Sequence, residues 1–162
     1  MQKSTLENYV AFLSKVREES GIGDLKPDDG GLVSVRVDDT YTLNIQYVEA
    51  TSKILLFVEV AAIPLSASAS VYRMLLEGSL FGKETAGGFF GLEPVGGNLV
   101  YHYLYEFDPV TSIPTEFVEL TESILQLVDF WAGRIRAELD GASTSDGEPI
   151  KAGLFQDARV FG

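Results

Sequence analysis

No cysteine occurs among the 162 residues, and histidine occurs once, at His102. Without thiols there can be no disulfide and no thiolate metal centre, a composition that is neutral on compartment but fits the cytosol. A lone histidine cannot build a His-rich metal site either. Positive charge is scarce: 12 Lys and Arg stand against 24 Asp and Glu, for a formal net charge of −12 and a pI near 4.4. Nucleic acid and anionic membrane surfaces both require a cationic face, so they are excluded as partners, and a neutral or basic partner is expected. Long hydrophobic runs are missing too. The longest, residues 54–58 and 60–65, are strand-sized, well short of the roughly 20 residues that cross a bilayer. Met1-Gln2-Lys3-Ser4 leads directly into a polar amphipathic segment, so no secretory signal is expected and the cytoplasm is the expected location.

What is present suits one globular domain. Hydrophobic residues make up 46% and charged residues 22%, enough apolar mass for a sizeable core. Residues 3–19 read as an amphipathic helix capped by Ser4 or Thr5, with Leu6, Tyr9, Val10, Leu13 and Val16 on one stripe and Phe12 to its side. Two alternating strands follow. Val33, Val35 and Val37 mark the first, over 32–38, and Tyr41, Leu43, Ile45 and Tyr47 the second, over 41–48. The run from Lys53 to Val60 is apolar on both faces apart from Glu59, the pattern of a central strand covered on both sides. A second helix enters at Pro64-Leu65-Ser66, with Ser66 or Ser68 as cap, and reaches about Phe81. Val71, Met74 and Leu75 share one of its faces, while Tyr72, Leu76 and Leu80 occupy the others, so it needs cover on more than one side. A second subunit is the obvious source.

Gly87 to Leu92 reads as a short strand, and Glu93 to Asn98 as a hairpin turn. The return strand sets Leu99, Tyr101, Tyr103, Tyr105 and Phe107 against Val100, His102 and Leu104. The strongest helix, about 114–137, carries the stripe Phe117, Leu120, Ile124, Leu127, Val128, Trp131 and Ile135. Residues 138–162 read as a flexible acidic tail with a few apolar side chains, separate from a domain over 1–137. The order is α-β-β-β-α-β-β-α, an α+β fold with helices packed on a twisted antiparallel sheet.

Chemistry is thin. No Gly-x-Ser-x-Gly nucleophile elbow occurs. Gly87-Gly88-x-x-Gly91 is followed by a strand, so it is not a dinucleotide fingerprint. Asp28-Asp29 and Asp38-Asp39 lack the spacing of a calcium loop and read as turns. His102 sits mid-strand between two tyrosines and reads as structural or surface. No catalytic residue, metal site or cofactor is assigned, and the chain is expected not to be an enzyme. A two-sided apolar helix and an aromatic-rich strand are instead the parts of a protein-binding surface; Tyr101, Tyr103 and Tyr105 fit an interface and a plain core equally well.

The stretch Leu75-Leu76-Glu77-Gly78-Ser79-Leu80-Phe81-Gly82, continued by Gly87 to Leu92 and the turn Gly91-Leu92-Glu93-Pro94, resembles the class I type III secretion chaperones, the Tir-chaperone-like group. Members carry a leucine-rich helix end, a glycine-bearing short strand, an apolar strand and a long last helix, and the resemblance covers roughly residues 3–137. Gly78 departs from the pattern, standing where asparagine is frequent. The resemblance implies a cytoplasmic bacterial homodimer without ATPase activity, which holds the N-terminal chaperone-binding segment of a secreted effector extended and export-competent. It implies a dimer interface that includes Val71, Met74, Leu75, Phe89 and Phe90, and effector contacts from Leu6, Val10, Leu13, Val33 and Tyr47. A second reading keeps the fold but gives it a regulatory protein-binding task, as in the YbjN-like proteins.

Overall fold

The computed structural model describes residues 4–142. The elements follow the expected order: α1 (Leu6–Ser20), β1 (Leu32–Val37), β2 (Tyr41–Val48), β3 (Lys53–Ala62), α2 (Ala69–Ser79), β4 (Phe89–Leu92), β5 (Asn98–Glu106) and α3 (Pro114–Ala142), with a short 3-10 turn at Leu80–Gly82 after α2. All five strands join one antiparallel sheet in the order β1-β2-β3-β5-β4, which makes β3 central and leaves β1 and β4 as its edges. The α+β architecture is therefore the one the periodicities predict.

Helix α1 starts at Leu6 because Thr5 caps it. The Thr5 hydroxyl accepts from the Asn8 amide at 3.2 Å, and the Asn8 side chain accepts from the Thr5 amide at 3.1 Å, a reciprocal cap that satisfies two donors the first turn leaves over. Gly21 closes the helix at φ 66°, donating its N–H to Arg17, a left-handed geometry that glycine enters without steric cost. The buried stripe is Tyr9, Phe12, Leu13 and Val16, spaced i, i+3, i+4, i+7. Phe12 thus belongs to the core, with its ring 5.1 Å from Phe107 and 5.3 Å from Phe117, while Leu6 and Val10 lie on the flank of the stripe. Tyr9 ties the helix to the sheet by donating to the Ile45 carbonyl at 3.1 Å and stacking on Tyr47.

Helices α1 and α3 lie side by side on one face of the sheet, and α2 packs against α3 and β4. Phe117, Ile124, Val128, Trp131 and Ile135 of α3 meet Ile54, Leu56 and Val58 of β3, all fully or almost fully buried. Each such side chain contributes about 1.5–3 kcal/mol by leaving water. The α3 stripe is as expected, although the helix runs on to Ala142, so the first residues placed in the tail are helical. The rest of the tail lies outside the described residues. Helix α2 begins at Ala69 with Ser68, one of the two expected caps, at its N-cap position, and stops at Ser79 rather than Phe81; Phe81 itself adopts φ 58° inside the 3-10 turn.

The second face of β3 departs from expectation. Leu55 and Phe57 point away from the helices and are only half-buried, and no described helix covers them. Cover on that side, which the apolar pattern calls for, is not supplied within residues 4–142.

Candidate functional site

The β1 edge and the helices beside it form an apolar cleft of about 300 Å³, at the small end for a ligand pocket and suited to a few side chains. Its floor is Val35 and Val37 of β1 with Leu43 and Ile45 of β2; its walls are Val16 of α1, Ile22 and Leu25 of the following loop, and Phe117, Val118 and Leu125 of α3. Arg36, Asp38 and Glu122 stand among its polar lining.

The backbone of β1 is arranged for pairing on this side. The Tyr47 amide donates to the Gly31 carbonyl at 3.3 Å, so the Gly31 carbonyl and the main-chain groups of Val33, Val35 and Val37 face β2, and Leu32, Ser34 and Arg36 direct theirs outward. Asp28 occupies those of Leu32: its amide donates to the Leu32 carbonyl and its carboxylate accepts from the Leu32 amide, both at 2.9 Å. The same carboxylate accepts from Gly30, which gives Asp28-Asp29 the turn role read from sequence. Ser34 and Arg36 then present N–H and C=O groups at an open sheet edge, directly beside the apolar cleft. At the far end of β1, the turn to β2 places Asp38 and Asp39 at φ 49° and 54°, and Tyr41 donates to Asp129 of α3 at 2.9 Å.

A second surface surrounds α2. Val71, Leu75 and Gly78 face inward, whereas Tyr72, Leu76, Leu80, Phe81 and Leu92 are exposed, Leu76 and Phe81 by 73% and 75%. Scattered apolar residues at a surface are ordinary, but a helix and its following turn that expose so many in succession mark a contact surface. On the uncovered sheet face, His102 of β5 stacks on Phe89 of β4 at 5.1 Å and on Phe57 of β3 at 6.5 Å. Val100 and Leu104 share this face with Leu55.

The dimer assignments of the sequence fall on both sides of this surface. Phe89 is exposed, and Met74 and Phe90 are part-buried. Phe90 packs on Trp131 at 5.1 Å, toward the core. Val71 and Leu75 are core residues, because α2 turns that face onto α3. The outward residues are the other set, Tyr72, Leu76 and Leu80, whose need for cover the helical pattern shows; Phe81 is exposed in the turn that follows. The effector-side residues divide similarly. Leu6 and Val10 are 39% and 41% exposed, while Leu13, Val33 and Tyr47 are buried within the chain and do not line the cleft. Val35 and Val37 were legible as alternating β1 positions, but not as cleft floor, since sequence does not reveal that β1 is an edge.

Among the described residues no three of His, Cys, Asp and Glu come together to hold a metal ion. His102 Nδ1 is buried without a hydrogen-bond partner, and desolvation lowers the imidazole pKa below its usual value, outweighing backbone contacts at Phe89 and Val100. Tyr101 is pushed up to about 12, chiefly by burial, while its hydroxyl donates to the Thr85 carbonyl at 2.7 Å. Both shifts favour the neutral form of the side chain.

The family model of the Tir chaperone protein (CesT) family matches residues 11–132. Among solved structures, the chain is similar to a chain of the ExsC–ExsE complex, with a TM-score of 0.67 and 16% identity over 80% of this chain and 94% of that one. A chain of the HopA1–SchA chaperone–effector complex gives 0.65 and 18% over 80% and 98%. A chain of the heterodimeric ExoU–SpcU complex from the type III secretion system of Pseudomonas aeruginosa gives 0.56 and 17% over 82% and 98%. These likenesses establish the fold. No match was found among curated proteins.

Proposed function

The chain belongs to the Tir chaperone protein (CesT) family, and from that premise we propose that it is a non-enzymatic chaperone for a type III secretion effector, holding the effector's N-terminal segment extended and competent for export. The observation that carries this reading is the open β1 edge at Ser34 and Arg36 lying against the 300 Å³ apolar cleft. A folded partner could pair there only by presenting an open edge strand of its own. An extended segment adds as a strand, gains main-chain hydrogen bonds, and drops alternate side chains into the cleft. Leu6 and Val10 extend the apolar contact along α1, while Leu13, Val33 and Tyr47 support it from below. The net charge of −12 favours a basic segment and repels acidic competitors.

In this reading two copies assemble through α2 and the short strand beside it. Tyr72, Leu76, Leu80, Phe81 and Phe89 make the contact, Met74 and Phe90 back it, and Val71 and Leu75 hold α2 at the right angle on α3. The pairing supplies the cover that α2 and the uncovered face of β3 lack. Residues 1–137 form the chaperone domain, and the cytoplasm is where the complex is held before export.

The test is limited proteolysis of the complex that the tagged chain forms in its own cells under secretion-inducing conditions. The expected protected fragment is one contiguous segment from the N-terminal region of a larger secreted protein. Protection of a complete folded domain would replace this reading with a regulatory one.

A further inference from the structure

The geometry points to Glu122 as a selector: in a segment added to β1, it favours a lysine or arginine two positions from the apolar side chain that enters the cleft. The inference rests on the reading of that edge and cleft as a strand-docking site, and names the chemistry of what docks. Ser20, Arg36, Asp38, Thr121 and Glu122 are the polar residues of the cleft lining, and three of them are engaged. The Ser20 hydroxyl accepts from the Ile22 amide at 3.2 Å, and Thr121 donates to the Val118 carbonyl at 2.7 Å. Arg36 donates to the Asp39 carbonyl at 2.7 Å, with its Nε 3.6 Å from the Asp39 carboxylate. The carboxylates of Asp38 and Glu122 have no hydrogen-bond or ion-pair partner among the described residues. Asp38 is explained by its turn, at φ 49°, a conformation that aspartate enters more readily than most residues. Glu122 has no such account. It is the ninth residue of α3, beyond the first turn in which the helix dipole favours a carboxylate. It stands one turn after Val118 and three residues before Leu125, on the stripe that walls an otherwise apolar cleft.

The spacing follows from how α3 lies on the sheet. Phe117 packs on Tyr105 at 5.0 Å, and Tyr105 leads across the ladder through Ile54 and Tyr47 to Gly31, just before β1. Asp129 accepts from Tyr41, which stands opposite Val37 at the other end of β1. Helix and strand therefore run the same way, over about 18 Å of α3 and about 20 Å of β1. The turn from Val118 to Glu122 rises about 6 Å, and two residues of an added strand span about 7 Å. Alternate side chains of that strand face the cleft, so one seated against Val118 sets the next on that face beside Glu122. A basic side chain there meets an unpaired carboxylate, and an acidic one is repelled. Because Glu122 is exposed, the pair sets preference among segments more than overall affinity.

The test presents the full chain to a displayed library of short segments that alternate threonine with a varied residue. Segments selected on the natural chain are expected to carry lysine or arginine two positions from an aliphatic or aromatic residue. Glu122→Lys is expected to exchange that preference for acidic residues and to weaken the basic segments about fivefold. Glu119→Lys makes the same change of charge on α3 outside the cleft lining, and is expected to leave the preference as it is. Selection of the same segments by Glu122→Lys would overturn the inference. So would an equal shift with Glu119→Lys, which would leave only the overall charge as the selector. In both cases, segments that protect the Ser34 and Arg36 amides from hydrogen exchange would leave strand docking standing. Failure of every segment to protect those amides would overturn the docking reading and the inference together.

Discussion

At Gly78 the backbone of α2 comes so close to α3 that a Cβ there would lie 2.2 Å from Trp131 Cη2. The indole cannot retreat, because Trp131 is fully buried, its Nε1 donates to the Glu84 carbonyl at 2.9 Å, and Arg134 lies over its ring at 4.5 Å while pairing with Glu84 at 2.8 Å. Gly78→Ala gains up to about 1 kcal/mol of helix propensity but overpacks a rigid site, at about 1–3 kcal/mol. A net loss of stability is expected in urea unfolding, and a gain would show that α2 can shift. The departure at Gly78 is thus a packing requirement; sequence marks the glycine but not the tryptophan 53 positions away that demands it. His102 carries a pH prediction. Its folded pKa is lowered, mainly by desolvation, so the unfolded chain binds more protons below the ordinary histidine pKa of about 6.5. Stability from this group is complete above that pH and is lost as pH falls through the folded value. Relative to a His102→Phe variant, which keeps the ring between Phe57 and Phe89, the natural chain is expected to lose stability on acidification from neutral pH. Parallel pH profiles would contradict this.

Among the elements, α2 and β1 separate structure from contact. Leu76→Asp is expected to convert a dimer into a monomer of 17.7 kDa by light scattering, because Leu76 points outward. Leu75→Ala, on the buried face, is expected to cost about 2–5 kcal/mol and to leave the mass unchanged. A reversal of the two effects would place the interface on the other face. On β1, Ser34→Pro removes an outward amide without breaking the ladder to β2, a position where sheets tolerate proline; partner binding should be lost while the unfolding midpoint moves little. These elements were legible to different degrees. The α3 stripe and the alternation of β1, β2 and β5 follow directly from period and were found in place. The inward face of α2 was not legible, since a helix apolar nearly all round fits its core in several rotations, and it is the side of Val71, Leu75 and Gly78, where Gly78 lies against Trp131, that faces inward. Nor was the cleft, which depends on strand order. The exchange of Phe12 for Val10 in the buried stripe of α1 has the same origin: Phe107 and Phe117, distant in sequence, recruit Phe12.

Across the whole molecule, an acidic surface, a sheet edge and an uncovered sheet face make one working unit. The charge is a long-range property, so association with a basic segment should slow as ionic strength rises, whereas dimer mass, held by apolar contact through α2, should not fall. Pairing of an extended segment with β1 is read out by amide hydrogen exchange at Ser34 and Arg36, compared with and without bound partner. Strand addition predicts strong protection of both amides, with Val35 and Val37, already paired with β2, little changed. A partner that binds while Ser34 and Arg36 exchange at their free rate would rule strand addition out.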